Sequence, residues 1–148
     1  MISINDLTVS YGNWTLLDHI NFHISENDKI GLVGKNGCGK STLLRHLKKN
    51  MIPYGVREGE ILYWGEDLTM LDDRKSASEI GFVQQNPDNQ LVATIVEEDV
   101  AFGPENLGVE PDIIRKRVDD ALESVDMTFP KVTDETGKKV QLTHGNFA

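Results

Sequence analysis

A glycine-rich segment in the first third of the chain carries the residues most capable of chemistry. It has the order Gly34, Lys35, Asn36, Gly37, Cys38, Gly39, Lys40 and Ser41, which fits the pattern G-x-x-x-x-G-K-[ST]. Glycines let such a loop adopt backbone angles at which several N–H groups point inward. The start of a following helix adds partial positive charge. The segment therefore predicts a P-loop that binds the triphosphate of ATP together with a magnesium ion.

Each side chain of this loop has its own expected role. The Lys40 ammonium is expected to reach the β- and γ-phosphates, and the Ser41 hydroxyl to bind the magnesium ion. Thr42 is expected to hydrogen-bond the α-phosphate. The rest of the phosphate-binding set is Gly34, Asn36, Gly37, Cys38 and Gly39.

The elements needed to position this loop are visible on both sides of it. Residues 29–33 are mainly apolar, as expected of a buried parallel strand. Residues 40–49 place three leucines on one face of a helix, with Lys48 and Lys49 in its last turn. Upstream, alternating polar and apolar residues predict strands at residues 3–10 and 16–24.

Downstream of the loop the pattern predicts short strands followed by helices. Strands are expected at residues 60–64 and 79–83, and a short helix at residues 94–102 with Thr94 as its N-cap. An apolar stripe predicts a longer helix at residues 111–125, beginning with a proline. The last segment, residues 131–148, has little periodicity and predicts either a hairpin or a frayed end.

Composition sets limits on the possible functions. The chain has 148 residues and a formal net charge of −9, which disfavours a nucleic-acid partner because such binding depends on basic residues. No stretch approaches the roughly 20 consecutive apolar residues of a membrane span. The N-terminus lacks the pattern of a secretory signal, and the single cysteine, Cys38, fits a reducing compartment. These features predict a cytoplasmic protein.

Two further segments carry a resemblance to a known family. They are the run GFVQQNPDNQ at residues 81–90 and the run TIVEEDVAFGPENLG at residues 94–108. Together with Tyr11-Gly12 and the P-loop, they make the chain resemble the ATP-binding subunit of ABC transporters, of the energy-coupling-factor type. That type drives the import of vitamins or of metal ions such as cobalt and nickel. The likeness covers residues 1–127, with a helical subdomain beginning about residue 87 and a divergent tail at residues 128–148.

The resemblance implies roles for residues outside the P-loop. Tyr11 is similar to the aromatic residue that stacks on adenine, although a tyrosine packed on its own strand is the alternative. Gln85 is similar to the glutamine that contacts magnesium and the attacking water. Residues 88–99 resemble the surface that docks on the membrane-embedded subunit, with Glu97, Glu98 and Asp99 as expected contacts. A second ATP-binding subunit and a position on the inner face of the cell membrane are also implied.

Several features of the family are missing from this sequence. Neither a Leu-Ser-Gly-Gly-Gln motif nor an apolar strand ending in Asp-Glu occurs, and His144 lacks the acidic strand that would precede a switch histidine. The resemblance therefore implies an α/β P-loop NTPase of ABC type whose C-terminal half is missing. Such a chain is expected to have an antiparallel N-terminal part, a P-loop strand–helix unit and part of the helical subdomain.

Three interpretations follow from these observations. The first is the ATP-binding subunit of an importer, here truncated. The second is a catalytically inactive nucleotide-binding fragment, because the groups that complete the site for phosphoryl transfer are absent. The third is another P-loop NTPase or a kinase, for which Arg115-Lys116-Arg117 is a weak candidate for a basic lid. A GTPase would need an Asn-Lys-x-Asp motif, which does not occur.

Overall fold

The computed structural model describes residues 1–127 and the backbone of two short strands that follow them. The chain divides into two compact units, Met1–Phe82 and Val83–Ala148, which are described separately. The first unit contains the P-loop, and the second contains the predicted docking segment.

A four-stranded antiparallel sheet forms the basis of the first unit. Its strands are β1 (Ile2–Tyr11), β2 (Trp14–Ile24), β3 (Val56–Tyr63) and β4 (Glu66–Asp67), in the order β2-β1-β3-β4. The turn from β1 to β2 has only two residues, and Gly12 takes a φ of 59° there. Such a positive angle at the first turn position favours glycine. The predicted antiparallel N-terminal part is therefore confirmed.

The strands β1, β2 and β3 each contain a residue with a positive φ, and these residues lie near one another across the sheet. Asp6 of β1 and His19 of β2 have φ values of 54° and 48°, and Gly59 of β3 has a φ of 80°. Side chains bind the displaced backbone groups, since the Asn21 Oδ1 accepts from the Asp6 N–H at 2.8 Å. The irregularity places buried Ile4 and Leu7 three positions apart instead of two, which is the physical signature of a β-bulge.

Two helices and two short 3₁₀ turns complete the first unit. They are α1 (Lys40–His46), α2 (Asp73–Glu79) and the turns Lys49–Met51 and Leu68–Met70. Residues from the sheet, from α1, from the second turn and from the residue after that turn make one buried core, comprising Ile4, Leu7, Val9, Leu17, Leu43, Ile61, Leu68 and Leu71.

Two lysines hold α2 and the chain before it against the end of α1. Lys48 and Lys49 were expected in the last turn of α1 but lie beyond its end. The Lys48 ammonium donates to the carbonyls of Ser76 and Ile80, the second at 2.6 Å, where a cation suits the C-terminus of a helix. The Lys49 ammonium donates to the Leu71 carbonyl at 2.6 Å.

Two predicted strands are not formed in this structure. Residues 29–33 lie outside every helix and strand, because a parallel strand needs neighbours and the described sheet contains only antiparallel pairs. The strand expected at residues 79–83 is also absent. Helix α2 occupies its first residue instead, supported at its start by the Asp72 carboxylate, which accepts from the Arg74 and Lys75 N–H groups.

The second unit contains a helical pair. Helices α3 (Val96–Asn106) and α4 (Pro111–Ser124) pack through buried Ala101, Val118 and Leu122, and a 3₁₀ turn at Pro87–Gln90 precedes them. The helix predicted at residues 111–125 is confirmed, with Pro111 in its first turn.

The N-cap predicted for the preceding helix is wrong. Ile95 occupies the cap position of α3 with no side-chain hydrogen bond. The Asp99 carboxylate instead accepts from the backbone N–H groups of Val92 and Ala93 at 2.7 and 3.0 Å. The Asp99 carboxylate, which lies in the first turn of α3, therefore fixes the residues that lead into the helix. The sequence predicts Thr94 for this stabilising role.

Beyond α4, the strands β5 (Lys131–Thr133) and β6 (Lys139–Gln141) pair in antiparallel fashion. The pairing confirms the hairpin interpretation of the last segment. The turn between the strands and His144 lie outside the described residues.

Candidate functional site

The P-loop is closed by its own lysine. Lys40 is the first residue of α1, and its ammonium donates to the carbonyls of Gly34 and Lys35, both at 2.8 Å. The lysine therefore bridges from the helix back to the first residues of the loop. A second contact, from the Cys38 N–H to the Lys35 carbonyl at 3.4 Å, tightens the turn. The motif folds into a ring of backbone around one cationic side chain.

Glycine is required at two points of this ring. Gly39 has a φ of 92°, in the left-handed region, and a Cβ there would lie 2.9 Å from Leu17 Cδ2. A Cβ on Gly34 would lie 2.7 Å from the Cys38 sulfur. A side chain at Gly39 would displace Leu17, and one at Gly34 would displace the Cys38 thiol. The Lys40 ammonium is the charged donor that this loop offers, and it suits a group of concentrated negative charge such as a polyphosphate.

Buried residues of α1 fix the loop to the first unit. Leu43 belongs to the core, and His46 is only 1% exposed. The His46 Nδ1–H donates to the Thr42 carbonyl at 2.7 Å. Burial of the ring lowers the pKa of His46, and the hydrogen bond to Thr42 offsets only part of that effect. A neutral imidazole thus stabilises the turn that carries Ser41 and Thr42, which sequence reasoning did not foresee.

The remaining loop residues lie where a ligand can reach them. Asn36, Gly37 and Cys38 are exposed, as is Ser41 in the first turn of α1, whereas Thr42 is half-buried. The structure therefore brings together all the predicted P-loop positions in one accessible loop. Their roles toward phosphate and magnesium remain predictions.

Tyr11 lies at the end of β1 and is half-buried against the core of the first unit. A Cβ placed on Gly55 would lie 3.0 Å from the edge of its ring. The ring therefore contributes packing to the sheet, and its stacking on adenine remains a prediction.

Gln85 belongs to the second unit. It is exposed in the loop before the 3₁₀ turn, and the adjoining Gln84 N–H donates to the Gln90 side chain at 2.6 Å. The loop is therefore ordered by neighbouring glutamines. The part of Gln85 in magnesium binding remains a prediction.

The three acidic residues at the start of α3 have different environments. Glu98 is exposed, whereas Glu97 and Asp99 are half-buried. Both Glu97 carboxylate oxygens are inaccessible to solvent and have no hydrogen-bond partner among the described residues. Asp99 is held by two backbone N–H groups, which lower the pKa of its carboxyl. Only Glu98 is thus free to meet a partner without a change in local structure.

Among the described residues, no three His, Cys, Asp or Glu side chains are grouped as metal ligands. No described helix is long and apolar enough to span a membrane.

The fold and the loop together define a nucleotide-binding domain of the P-loop type, and comparison with known proteins identifies its family. The family described as ABC transporter matches residues 17–146. This match spans most of the chain, and the chain therefore belongs to the ABC transporter family.

Two relatives of this chain both belong to the energy-coupling-factor branch of that family. An energy-coupling factor transporter ATP-binding protein EcfA1 from Clostridium perfringens is 43% identical over 86% of this chain and 47% of its own length. The EcfA1 of Clostridium novyi is 49% identical over 75% of this chain and 39% of its own length. The chain thus spans less than half the length of these relatives.

A solved structure agrees with these relatives. It is cbiO1 from Clostridium perfringens, described as part of the ABC transporter complex cbiONQ. It is 31% identical, with a TM-score of 0.72 over 95% of this chain and 53% of its own. The match supports the predicted fold class, an ABC-type α/β P-loop NTPase of which this chain covers the N-terminal part.

Proposed function

We propose that this chain binds ATP with magnesium through residues 34–42 and serves as the ATP-binding portion of an energy-coupling-factor type importer. The observation that carries the proposal is the closed P-loop, in which the Lys40 ammonium returns to the Gly34 carbonyl. Membership of the ABC transporter family disfavours the alternative of a kinase or another class of P-loop NTPase. The imported solute would be a vitamin or a metal ion.

Binding would use groups that the loop already presents. The Lys40 ammonium can exchange one of its two carbonyl partners for a phosphate oxygen, which is the stronger acceptor because it is charged. The backbone N–H groups around Gly37 and Gly39 would contribute neutral donors. A bound magnesium ion would neutralise part of the triphosphate charge, and Ser41 and Gln85 are the residues proposed to hold it. Tyr11 would contact the adenine ring.

The single cysteine offers a direct measure of occupancy. Cys38 is exposed, and its sulfur lies 3.9 Å from the Lys40 Nζ. A nucleotide in the loop would cover the thiol, so alkylation should become slower as ATP is added. The labelling rate should fall by one plus the ratio of ATP concentration to Kd, which is about elevenfold at ten times Kd. Mass spectrometry after timed addition of iodoacetamide measures this rate, and equal rates with and without ATP would refute the proposed occupancy.

ATP hydrolysis needs groups beyond those that bind the nucleotide. The family hydrolyses ATP, but we propose that this chain alone does not, because it has no Leu-Ser-Gly-Gly-Gln motif and no acidic strand. Positioning and charge stabilisation account for most of the catalysis of phosphoryl transfer. Phosphate release should therefore remain at the level of a protein-free control. Turnover at roughly 1 s⁻¹, an ordinary enzymatic rate, would contradict this proposal.

A membrane-embedded subunit is the proposed partner of residues 88–99. Docking on that subunit would place the chain on the inner face of the cell membrane, beside a second ATP-binding subunit. Glu98 is the residue to test, since it is exposed and makes none of the described ion pairs. Charge reversal in Glu98→Lys should sharply reduce co-purification with the co-expressed membrane subunits of an energy-coupling factor transporter. Like charges in a contact are costly.

Glu105→Lys is the matched control for this experiment. Glu105 is exposed on the same helix, near its other end and outside residues 88–99. The control should co-purify as the wild type does. Equal recovery of the Glu98→Lys variant would remove this docking surface from the proposal.

A further inference from the structure

Asn36 and Gly37 form the only Asn-Gly pair in the sequence, and both residues are exposed in the P-loop. Gly37 has a φ of 84°, and a Cβ there would meet no atom within 4 Å. Within the described part of the chain, neither the Asn36 side chain nor the Gly37 N–H makes a hydrogen bond. The side-chain amide and the backbone N–H that follows it are therefore both available for reaction.

One long hydrogen bond closes the turn that contains this pair. It joins the Cys38 nitrogen to the Lys35 oxygen over 3.4 Å, which is longer than the roughly 2.7–3.2 Å of an ordinary N–H···O bond. The Lys35 carbonyl keeps the Lys40 ammonium as a donor when this bond opens. Glycine adds freedom, because it has no side chain to restrict its backbone. The Gly37 nitrogen can therefore rotate toward the side-chain carbonyl carbon of Asn36.

We propose that Asn36 is a site of spontaneous deamidation, which ends phosphate binding in chains left without nucleotide. The Gly37 nitrogen loses its proton and attacks the Asn36 Cγ, so that a new C–N bond closes a cyclic imide. The Cγ–Nδ2 bond breaks, and the amide nitrogen takes up a proton and leaves as ammonia. Water then opens the ring. Attack of water at Cγ gives aspartate, whereas attack at the main-chain carbonyl gives isoaspartate, and neither step involves oxidation or reduction.

Both products oppose the binding of a polyphosphate. Aspartate introduces a negative charge into a loop whose proposed ligand is itself negative. Isoaspartate adds a methylene group to the backbone ring that the Lys40 ammonium closes at the Gly34 and Lys35 carbonyls. This consequence rests on the proposed binding of ATP, whereas the deamidation itself does not.

A bound nucleotide should protect the site. Its phosphate oxygens would accept hydrogen bonds from the backbone N–H groups of the loop, Gly37 included, and a hydrogen-bonded nitrogen attacks less readily. The turn would also be held closed around the ligand. Chains that hold ATP would therefore keep Asn36 intact, and chains that stay empty would lose it.

The test incubates the full chain in a mildly alkaline buffer, without nucleotide and with magnesium-ATP, and follows each asparagine by peptide mass spectrometry. Asn13 is the internal control, because it is exposed in the turn between β1 and β2 but is followed by Trp14. Without nucleotide, conversion should be at least about tenfold faster at Asn36 than at Asn13, since glycine hinders ring closure least. ATP at ten times its Kd should slow conversion at Asn36 about elevenfold. Equal rates at the two asparagines, or no protection by an ATP that binds, would overturn the proposal.

Calorimetric titration of the same samples links the modification to binding. The fraction of chains that bind ATP should fall in step with the fraction of intact Asn36. Asn36→Asp should bind ATP at least about tenfold more weakly than the wild type, because like charges a few ångströms apart repel strongly. Asn36→Gln should keep its own starting capacity through the incubation, since a longer side chain closes the corresponding ring more slowly.

Two results of the titrations would contradict the proposal. They are full ATP binding by chains already converted at Asn36, and an equal loss of capacity in the Asn36→Gln variant. A freshly prepared chain that fails to bind ATP would instead refute the proposed function. The conversion rates at Asn36 and Asn13 would still decide whether Asn36 is a modification site.

Discussion

Replacement of Lys40 by alanine is expected to weaken magnesium-dependent ATP binding about 10- to 150-fold. This range corresponds to the loss of hydrogen bonding to a charged group, about 1.5–3 kcal/mol. The structure adds a second reason, because the same ammonium closes the loop through the Gly34 and Lys35 carbonyls at 2.8 Å. An alanine therefore removes both a phosphate ligand and the contact that shapes the loop. Equilibrium titration with a fluorescent ATP analogue measures the change.

Lys35→Ala is the control for this prediction. It removes the same charge from the same loop, but its exposed side chain makes none of the described hydrogen bonds. Its carbonyl, which Lys40 uses, is retained. The affinity should remain within about threefold of the wild type, since an exposed charge near a ligand contributes little. Equal weakening by both substitutions would show that net charge, not the geometry of Lys40, governs binding.

Replacement of Gly59 by alanine is expected to destabilise the first unit by about 2–5 kcal/mol. The left-handed angle alone costs an alanine about 1–2 kcal/mol, and overpacking adds about 1–3 kcal/mol. The overlap is with backbone atoms, since a Cβ would lie 2.2 Å from the Asp6 carbonyl oxygen. Strand β1 would have to move away from β3. Urea unfolding followed by circular dichroism measures the difference.

Gly65→Ala separates the two contributions to that loss. Gly65 has a φ of 83°, close to the 80° of Gly59, but a Cβ there would meet no atom within 4 Å. It should therefore cost only the backbone term, about 1–2 kcal/mol. Equal losses in the free energy of unfolding at both positions would show that the strands separate around the added Cβ without cost. The close approach of β1 and β3 would then be unimportant for stability.

The sequence predicted those features that depend on neighbouring residues. The P-loop follows from the spacing of Gly34, Gly39 and Lys40, and the helix α4 follows from a proline and an apolar stripe. The strands β1, β2 and β3 follow from alternation or from short apolar runs. Each of these signals is contained within about a dozen residues, which is the range over which periodicity is informative.

The features that were missed depend on residues far apart in the chain. The bulge that brings Asp6 beside Gly59 requires contacts between separate strands, and no local pattern specifies it. Residues 29–33 have the composition of a buried strand, but a strand forms only when other strands supply its hydrogen bonds. The hydrogen bonds from the Val92 and Ala93 N–H groups to the Asp99 carboxylate depend on the path of the loop before α3, which no local pattern specifies.

Residues 34–42 are proposed to hold the triphosphate of ATP with a magnesium ion. Calorimetric titration of the unmodified chain with ATP, in magnesium and then in EDTA, tests it most directly. We expect one saturable site per chain in magnesium and markedly weaker binding in EDTA. No saturable binding at millimolar ATP, or binding that is indifferent to magnesium, would contradict it.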